Sequence, residues 1–292
     1  MAGTLSKVGT GARLLLSAEM WRVVLGEARQ GSRDVGQPPE VREVGRDEAA
    51  GLRQVEVGGD RYWLPLAMDL SGLAPLHLEV FCERHPHYYE HAGCRVRPGD
   101  VVVDAGASEG FFTRFALRRG ARVIAVEPWG PMVEALRRTF ADEIAAGSVV
   151  VEQAVLSDGE GEAVLAFDPE TPWGATASPG VAADAAPGRE TVRRTTLDAL
   201  IARSAWGRCD FLKMDVEGAE REVVAGAAAT LRRDRPCLSV AVYHHPTGYL
   251  DIRRDLRSAG LGYEVAGKGL QRRRGLYIPV VLHAWSPRPD AK

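Results

Sequence analysis

The sequence predicts an open α/β fold: a doubly wound, mainly parallel sheet with helices on both faces, joined to an N-terminal extension that is mainly helical. From Val96 onward, apolar runs of four to six residues alternate with longer segments of helical spacing. Strands buried on both faces, linked by crossover helices, require that pattern. The runs are bounded by Gly, Asp and Pro, residues that end strands and make turns. The composition agrees: 292 residues, 45% hydrophobic and 26% charged, which excludes a disordered or fibrous chain.

The elements follow in order. Leu15, Leu16, Met20, Val23, Val24 and Ala28 recur at helical spacing and predict a helix over residues 11–30. Residues 31–60, rich in Gly, Pro and charge, read as a linker or irregular arm. A strand is expected around Tyr62-Trp63-Leu64, then a helix over 76–92 that His85-Pro86 interrupts. Val101–Val103 is the first strand of the sheet, with a helix over 110–119. Arg122–Val126 is the second, with a helix over 130–145, and Val149–Val151 is the third. Ala163–Phe167 and Val192–Thr195 read as two strands flanking a long loop from Asp168 to Glu190. That loop reads either as a mobile lid or substrate wall, with Trp173 packing on the acceptor, or as a tolerated surface insertion. Phe211–Met214 is the fourth strand, followed by a helix over 218–232; Leu238–Tyr243 is the fifth, followed by a helix over 248–259. Tyr263–Ala266 and Tyr277–Leu282 close the set as an antiparallel pair. The chain therefore divides into an extension over 1–95 and an α/β domain over 96–292 with an insertion at about 168–190.

Charge and cysteines narrow the function classes. The net charge is −2 and the pI about 6.4, so no global field draws nucleic acid or anionic membrane. Thirty-three of the 37 basic residues are arginines, and no run reaches five like charges. Cys82, Cys94, Cys209 and Cys237 show no Cys-x-x-Cys spacing, so free thiols in a reducing compartment fit best. Leu14-Leu15-Leu16 is too short for a signal-peptide core, and no apolar stretch reaches 18 residues. A soluble cytoplasmic protein is expected.

The strongest chemical signal is the turn Asp104-Ala105-Gly106-Ala107-Ser108-Glu109-Gly110, which ends the first strand and opens a helix. In an open α/β sheet a nucleotide-like ligand meets the strands there. The spacing is Asp-x-Gly-x-x-x-Gly, not Gly-x-Gly-x-x-Gly, and there is no Gly-Lys-Ser/Thr. An acidic strand end suits a ligand with an ammonium group better than a pyrophosphate. The bland reading is a plain tight turn. Glu127-Pro128 ends the second strand, where a carboxylate can accept both hydroxyls of a ribose; Trp129 either covers the ligand or packs.

Asp215 and Glu217 stand at the end of the fourth strand, with Glu220 beyond. They could orient a hydroxyl, face a cation or bind a metal; acidic capping of the next helix is the alternative, strongest for Glu220. His244 and His245 emerge at the end of the fifth strand, where a histidine can act as general base or simply occupy a turn. His85 to His91 includes Tyr88 and Tyr89. With Pro86 breaking helical register it reads as an active-site wall or plain surface, and no metal is expected.

Together these residues resemble the FkbM-like family of S-adenosylmethionine-dependent methyltransferases. The matching set runs from Arg97-Pro98-Gly99-Asp100 through Asp104-Ala105-Gly106-Ala107, Glu127-Pro128, Gln153-Ala154-Val155-Leu156-Ser157-Asp158 and Thr196-Leu197-Asp198-Ala199-Leu200. It continues through Lys213-Met214-Asp215-Val216-Glu217-Gly218-Ala219-Glu220 to Tyr243-His244, covering about residues 76–282. The resemblance implies a class I, Rossmann-like seven-stranded sheet ordered 3-2-1-4-5-7-6. It also implies S-adenosyl-L-methionine as cofactor and methyl transfer, usually to a hydroxyl of a sugar or natural product. Asp104, Gly106, Ala107, Ser108 and Gly110 would hold the methionine part and Glu127 with Pro128 the ribose, while Gln153 and Ala154 flank the adenine. Asp215 and His244 would face the methyl group and acceptor, His244 taking the hydroxyl proton. Tyr88, Tyr89, Trp173, Glu217 and His245 would line the acceptor site. Ser108 and Thr139 stand where the family often has Asn. The first 75 residues match nothing in the pattern and are assigned to a lid, a dimer contact or substrate walls. Two other readings remain at this stage: a nicotinamide-dependent oxidoreductase, and a non-catalytic cofactor-binding protein.

Overall fold

A computed structural model describes residues 35–167, 176–177, 188–273 and 276–286. The helix expected over 11–30 and most of the 168–190 loop, Trp173 included, lie outside them. The chain opens with a three-stranded antiparallel sheet of β1 (Val41–Asp47), β2 (Leu52–Val57) and β3 (Asp60–Pro65), where the reading of 31–60 expected an irregular arm. β2 shows why: Leu52, Val55 and Val57 are buried, and the tight Gly58-Gly59 connection, with both glycines at positive φ, is hairpin chemistry. Strands thus outweigh helix in the described part of the extension. One helix, α1 (Leu73–Phe81), follows. It is shorter than the expected 76–92 because Cys82 is already extended (φ −98°, ψ 106°) ahead of His85-Pro86.

The central sheet has the expected order. Its strands are β4 (Val101–Ala105), β5 (Arg122–Glu127), β6 (Val149–Gln153), β11 (Phe211–Met214), β12 (Cys237–Ala241), β13 (Glu264–Arg273) and β14 (Leu276–Trp285). They lie side by side as β13-β14-β12-β11-β4-β5-β6. Six strands run in one direction and β14 runs antiparallel between β12 and β13. A second sheet, β7-β10-β8-β9, is built from β7 (Val155–Leu156), β8 (Gly161–Phe167), β9 (Thr176–Ala177) and β10 (Gly188–Thr195).

Alternation along the strands supplies two cores. Val102, Val123, Ala125 and Phe211 face one side. There they meet α2 (Phe111–Arg118), α3 (Gly130–Thr139) and the extension's Tyr62, Leu64 and Leu73. Val103, Ile124, Val126, Leu212 and Met214 face the other, against α5 (Leu197–Arg203), α6 (Glu220–Ala225), α7 (Ala228–Asp234) and α8 (Gly248–Ser258). Two expected helices are each split. The 130–145 segment breaks at Phe140 (φ −110°, ψ 27°) into α3 and a short α4 (Ala141–Ala145). The 218–232 segment breaks at Gly226, where a Cβ would stand 2.1 Å from the Ser157 carbonyl. α5 was not among the expected elements; Thr196 Oγ1 caps it by accepting from the Ala199 amide at 3.0 Å. Thr139 ties the extension to the domain, its Oγ1 accepting the Trp63 N–H at 2.8 Å.

Candidate active site

The turn after β4 lies against β5 and β11. Gly106 has φ +75°, and a Cβ there would stand 1.9 Å from the Asp215 carbonyl oxygen, so only glycine fits. The Gly106 and Ala107 amides both donate to the Val126 carbonyl at 3.0 Å. Ser108 takes φ +46° and donates its amide to Glu127 Oε2 at 3.0 Å. Gly110 faces the packing side, where a Cβ would meet Phe140 and Leu136; it does not line the cavity.

Asp104 departs from expectation. It is 0% exposed, buried beneath the turn and away from the cavity. Thr113 Oγ1 donates to its Oδ2 at 2.7 Å, and Lys213 Nζ pairs with its Oδ1 at 3.1 Å. The same ammonium donates to the Gly106 carbonyl at 2.6 Å. Burial opposes the charge on Lys213, but Asp104 and Asp215 hold its pKa above the usual lysine value. The negative charge of Asp104 is thus spent inside the protein, and the residue braces the turn. Lys213 was missed as a site residue. The signal was available, because Lys213 and Asp104 occupy paired registers on adjacent parallel strands.

A cavity opens over the carboxyl ends of β4, β5 and β11. At one end Glu127 accepts the Ser108 amide and the Trp129 amide, each at 3.0 Å. Burial pushes its carboxyl up to about 7. Two backbone donors leave acceptor capacity on the carboxylate. Pro128, Trp129, Met132, Ala154 and Leu165 form an apolar box beside it. Gln153 stays outside the box: its Nε2 donates to Glu190 Oε1 at 2.8 Å and fastens the base of the long loop.

At the other end is a polar network. Tyr89 donates its hydroxyl to Asp215 Oδ2 at 2.7 Å. The Tyr89 hydroxyl also lies 3.3 Å from His87 Nε2, and His87 Nδ1 pairs with Glu79 at 2.7 Å. Glu79, Tyr89, Asp215 and Glu217 line the cavity. The 85–91 segment is therefore a wall, through Tyr89 with His87 behind it. Tyr88 points elsewhere, its hydroxyl donating to Glu90 at 3.1 Å. Sequence reasoning missed Glu79, because a carboxylate within a helix carries no local mark.

His244 stands behind Asp215 among three carboxylates. Its Nδ1 is 2.7 Å from Glu220 Oε1, and its Nε2 is 3.4 Å from Asp215 Oδ1 and 3.5 Å from Glu217 Oε2. Burial alone would lower its pKa, but Glu217, Glu220 and Asp215 raise it to about 10. A raised pKa favours the imidazolium, a form that donates rather than takes a proton. Burial would raise the Asp215 carboxyl, but Lys213, His87, His244 and Tyr89 hold it below its usual value. Glu220 fills its capping role as well, accepting the Gly218 amide at 3.2 Å. His245 is exposed and bonded to Thr247 Oγ1 at 2.8 Å, outside the cavity. Ligand atoms of Asp215, Glu217 and His244 lie within 4.8 Å of one another, close enough to hold a cation, and protonated His244 supplies positive charge at that point.

Among known proteins, the family model for the methyltransferase FkbM domain matches residues 104–265. The chain is 32% identical over 183 residues to the 31-O-demethyl-FK506 methyltransferase FkbM of Streptomyces tacrolimicus, covering 52% of this chain and 67% of that protein. It is 28% identical over 179 residues to the methyltransferase sdnD of Sordaria araneosa, again covering 52% and 67%. A solved structure, methyltransferase FkbM from Methylobacillus flagellatus KT, is 21% identical with a TM-score of 0.48. The match covers 74% of this chain and 55% of that one, so the chain spans about half the length of that protein.

Proposed function

The chain belongs to the FkbM methyltransferase family, and on that premise we propose that it methylates a hydroxyl oxygen of a small molecule, using S-adenosyl-L-methionine. The observation that carries this reading is the convergence, on one cavity, of the Gly106–Glu109 turn, the Glu127 carboxylate and Asp215. The donor set fits the cofactor. Glu127 keeps acceptor capacity for two ribose hydroxyls, the box of Trp129, Met132 and Leu165 takes a flat apolar ring, and the buried Glu109 Oε2 has no donor among the described residues. When bound, S-adenosylmethionine supplies an electrophilic methyl group. The name of the Streptomyces relative refers to an O-demethyl substrate, which supports oxygen as the acceptor atom.

Asp215 is the residue we assign to the acceptor. Its Oδ1 is buried with no hydrogen-bond donor among the described residues, while Tyr89 fixes its Oδ2. A substrate hydroxyl donating to Oδ1 would have its oxygen lone pair oriented, and orientation is the main demand of a direct displacement. As that oxygen gains a bond to carbon it becomes a far stronger acid than any carboxylic acid. A low-pKa carboxylate therefore suffices to take the proton, and the His244 imidazolium beside it steadies the anion. Leu76, Glu79, Val80 and Tyr89 bring the extension into the cavity wall, so we assign residues 1–95 to shaping the acceptor site and 96–292 to the cofactor domain. Among the described residues no helix is long and apolar enough to cross a membrane. The absence of any Cys-x-x-Cys spacing in the sequence fits a reducing compartment, and the cytoplasm is the location we propose.

Calorimetry tests the cofactor: S-adenosylhomocysteine should bind and NAD should not. Glu127→Ala should weaken that binding by about 1–3 kcal/mol, since two ribose hydroxyls lose their acceptor. Labelled methyl transfer across hydroxylated small molecules tests the reaction. Binding of NAD instead, or label found only on nitrogen, would overturn the reading.

A further inference from the structure

Five carboxylates face the cavity: Glu79, Glu109, Glu127, Asp215 and Glu217. Four of them have partners. Glu79 pairs with His87, Glu127 accepts two amides, Asp215 accepts the Tyr89 hydroxyl, and Glu217 lies beside His244. Glu109, touched by the Ser108 hydroxyl, has like Asp215 a buried oxygen left unmet, and Asp215 Oδ1 is already assigned to the acceptor. Glu109 is only 7% exposed, yet its Oε2 meets no hydrogen-bond donor among the described residues. Lys213, the lysine lining the cavity, is committed to Asp104 and the Gly106 carbonyl. A buried acceptor left unmet by the fold is costly, and a ligand that donates to it gains correspondingly.

We propose that Glu109 is the subsite for a primary ammonium group, the α-ammonium of the cofactor's methionine arm, in a field to which Glu79 adds negative charge. The inference rests on the cofactor reading above. An ammonium brings positive charge and three donors to a wall dominated by carboxylates. The turn itself argues for the cofactor over the acceptor. Ser108 fixes the Glu127 carboxylate through its amide, and Glu109 is the next residue. One turn thus presents both a ribose acceptor and an ammonium acceptor to one ligand. Asp104, the acid that the motif suggests for this role, is neutralised by Lys213. Burial pushes the Glu109 carboxyl up, with Glu79 adding to the rise and the Ser108 hydroxyl opposing it; a cation beside it would oppose that rise.

The test compares two ligands by calorimetry. S-Adenosylhomocysteine carries the amino-acid arm; 5′-methylthioadenosine has the same adenosine and thioether without it. Glu109→Gln should weaken S-adenosylhomocysteine tenfold or more and change methylthioadenosine by less than twofold, the retained nucleoside binding showing that the variant folds. On the wild-type protein, the deaminated analogue of S-adenosylhomocysteine should bind tenfold or more weakly, and Glu109→Gln should not weaken that analogue further. Equal changes for both ligands, or none, would overturn the inference while leaving the cofactor reading intact. A wild-type protein that binds neither ligand would remove both.

Discussion

Replacing Lys213 with Met should expose how much of the fold hangs on one buried ion pair. Asp104 is 0% exposed and its Oδ1 faces the Lys213 ammonium at 3.1 Å. Met matches the length of the lysine stem but removes the charge. Breaking a buried pair on one side costs about 3–5 kcal/mol, because the other charge stays buried without compensation. The double variant Asp104→Asn/Lys213→Met removes both charges, and Asn can still accept the Thr113 hydroxyl. What remains in both variants is the loss of Lys213's charge beside Asp215 and the Gly106 carbonyl, deprived of the donor now at 2.6 Å, the latter at about 1–3 kcal/mol. The double variant should therefore be more stable than the single by about 2 kcal/mol. Urea unfolding, with m unchanged across the series, gives each term. A single variant that loses less than about 1 kcal/mol, or a double variant no more stable than the single, would refute the claim that Lys213 neutralises Asp104.

Three further outcomes are expected. His244 should remain protonated at pH 8 by NMR, titrating near 10; because its folded pKa lies above the usual 6.5, its stabilising share is complete below that value and fades as pH rises toward 10, so the stability gap between wild type and His244→Gln should narrow over that range. Glu127, pushed up to about 7, must be ionised to accept two ribose hydroxyls, so S-adenosylhomocysteine affinity should improve from pH 6 to 8 and lose this dependence in Glu127→Gln. Tyr89→Phe should lower kcat/KM on the order of 10–100-fold, the kinetic equivalent of a hydrogen bond to a charged group, while S-adenosylhomocysteine affinity holds; unchanged kinetics would detach Tyr89 from Asp215.

Much of this was legible in the chain itself. Strands buried on both faces read as unbroken apolar runs, so Val101–Val103 and Phe211–Met214 read directly, and Gly106, Glu127 and Asp215 stand beside one cavity at the strand ends. What failed to read were matters of partnership. Asp104 looks like a ligand because an acid at a strand end is visible, whereas the lysine that consumes it lies 109 residues further on. His244 looks like a base because its own pKa suits the task; three carboxylates from another segment raise that pKa. Tyr88 and Tyr89 are indistinguishable as neighbours in sequence, and only packing decides which one faces Asp215. The β1–β2 hairpin was hidden by exposed charge and by a spacing of three between Leu52 and Val55, which leaves only Val55 and Val57 in strand alternation.

The bond between the Trp63 amide and Thr139 spans 76 residues of chain, and that interval has a meaning in time. A ribosome adds about 5–20 residues per second, so Trp63 waits roughly 4–15 s before Thr139 is even made. For the first part of that wait the buried side of the three-stranded sheet, with Val55, Tyr62 and Leu64, lacks Phe111 of α2, and for most of it Met132 and Leu136 of α3. The nascent chain thus carries an incompletely covered apolar sheet until about residue 136 is made. Holdase chaperones that favour exposed hydrophobic strands would find their target in these first strands, and slowing translation between codons 65 and 139 would lengthen their hold.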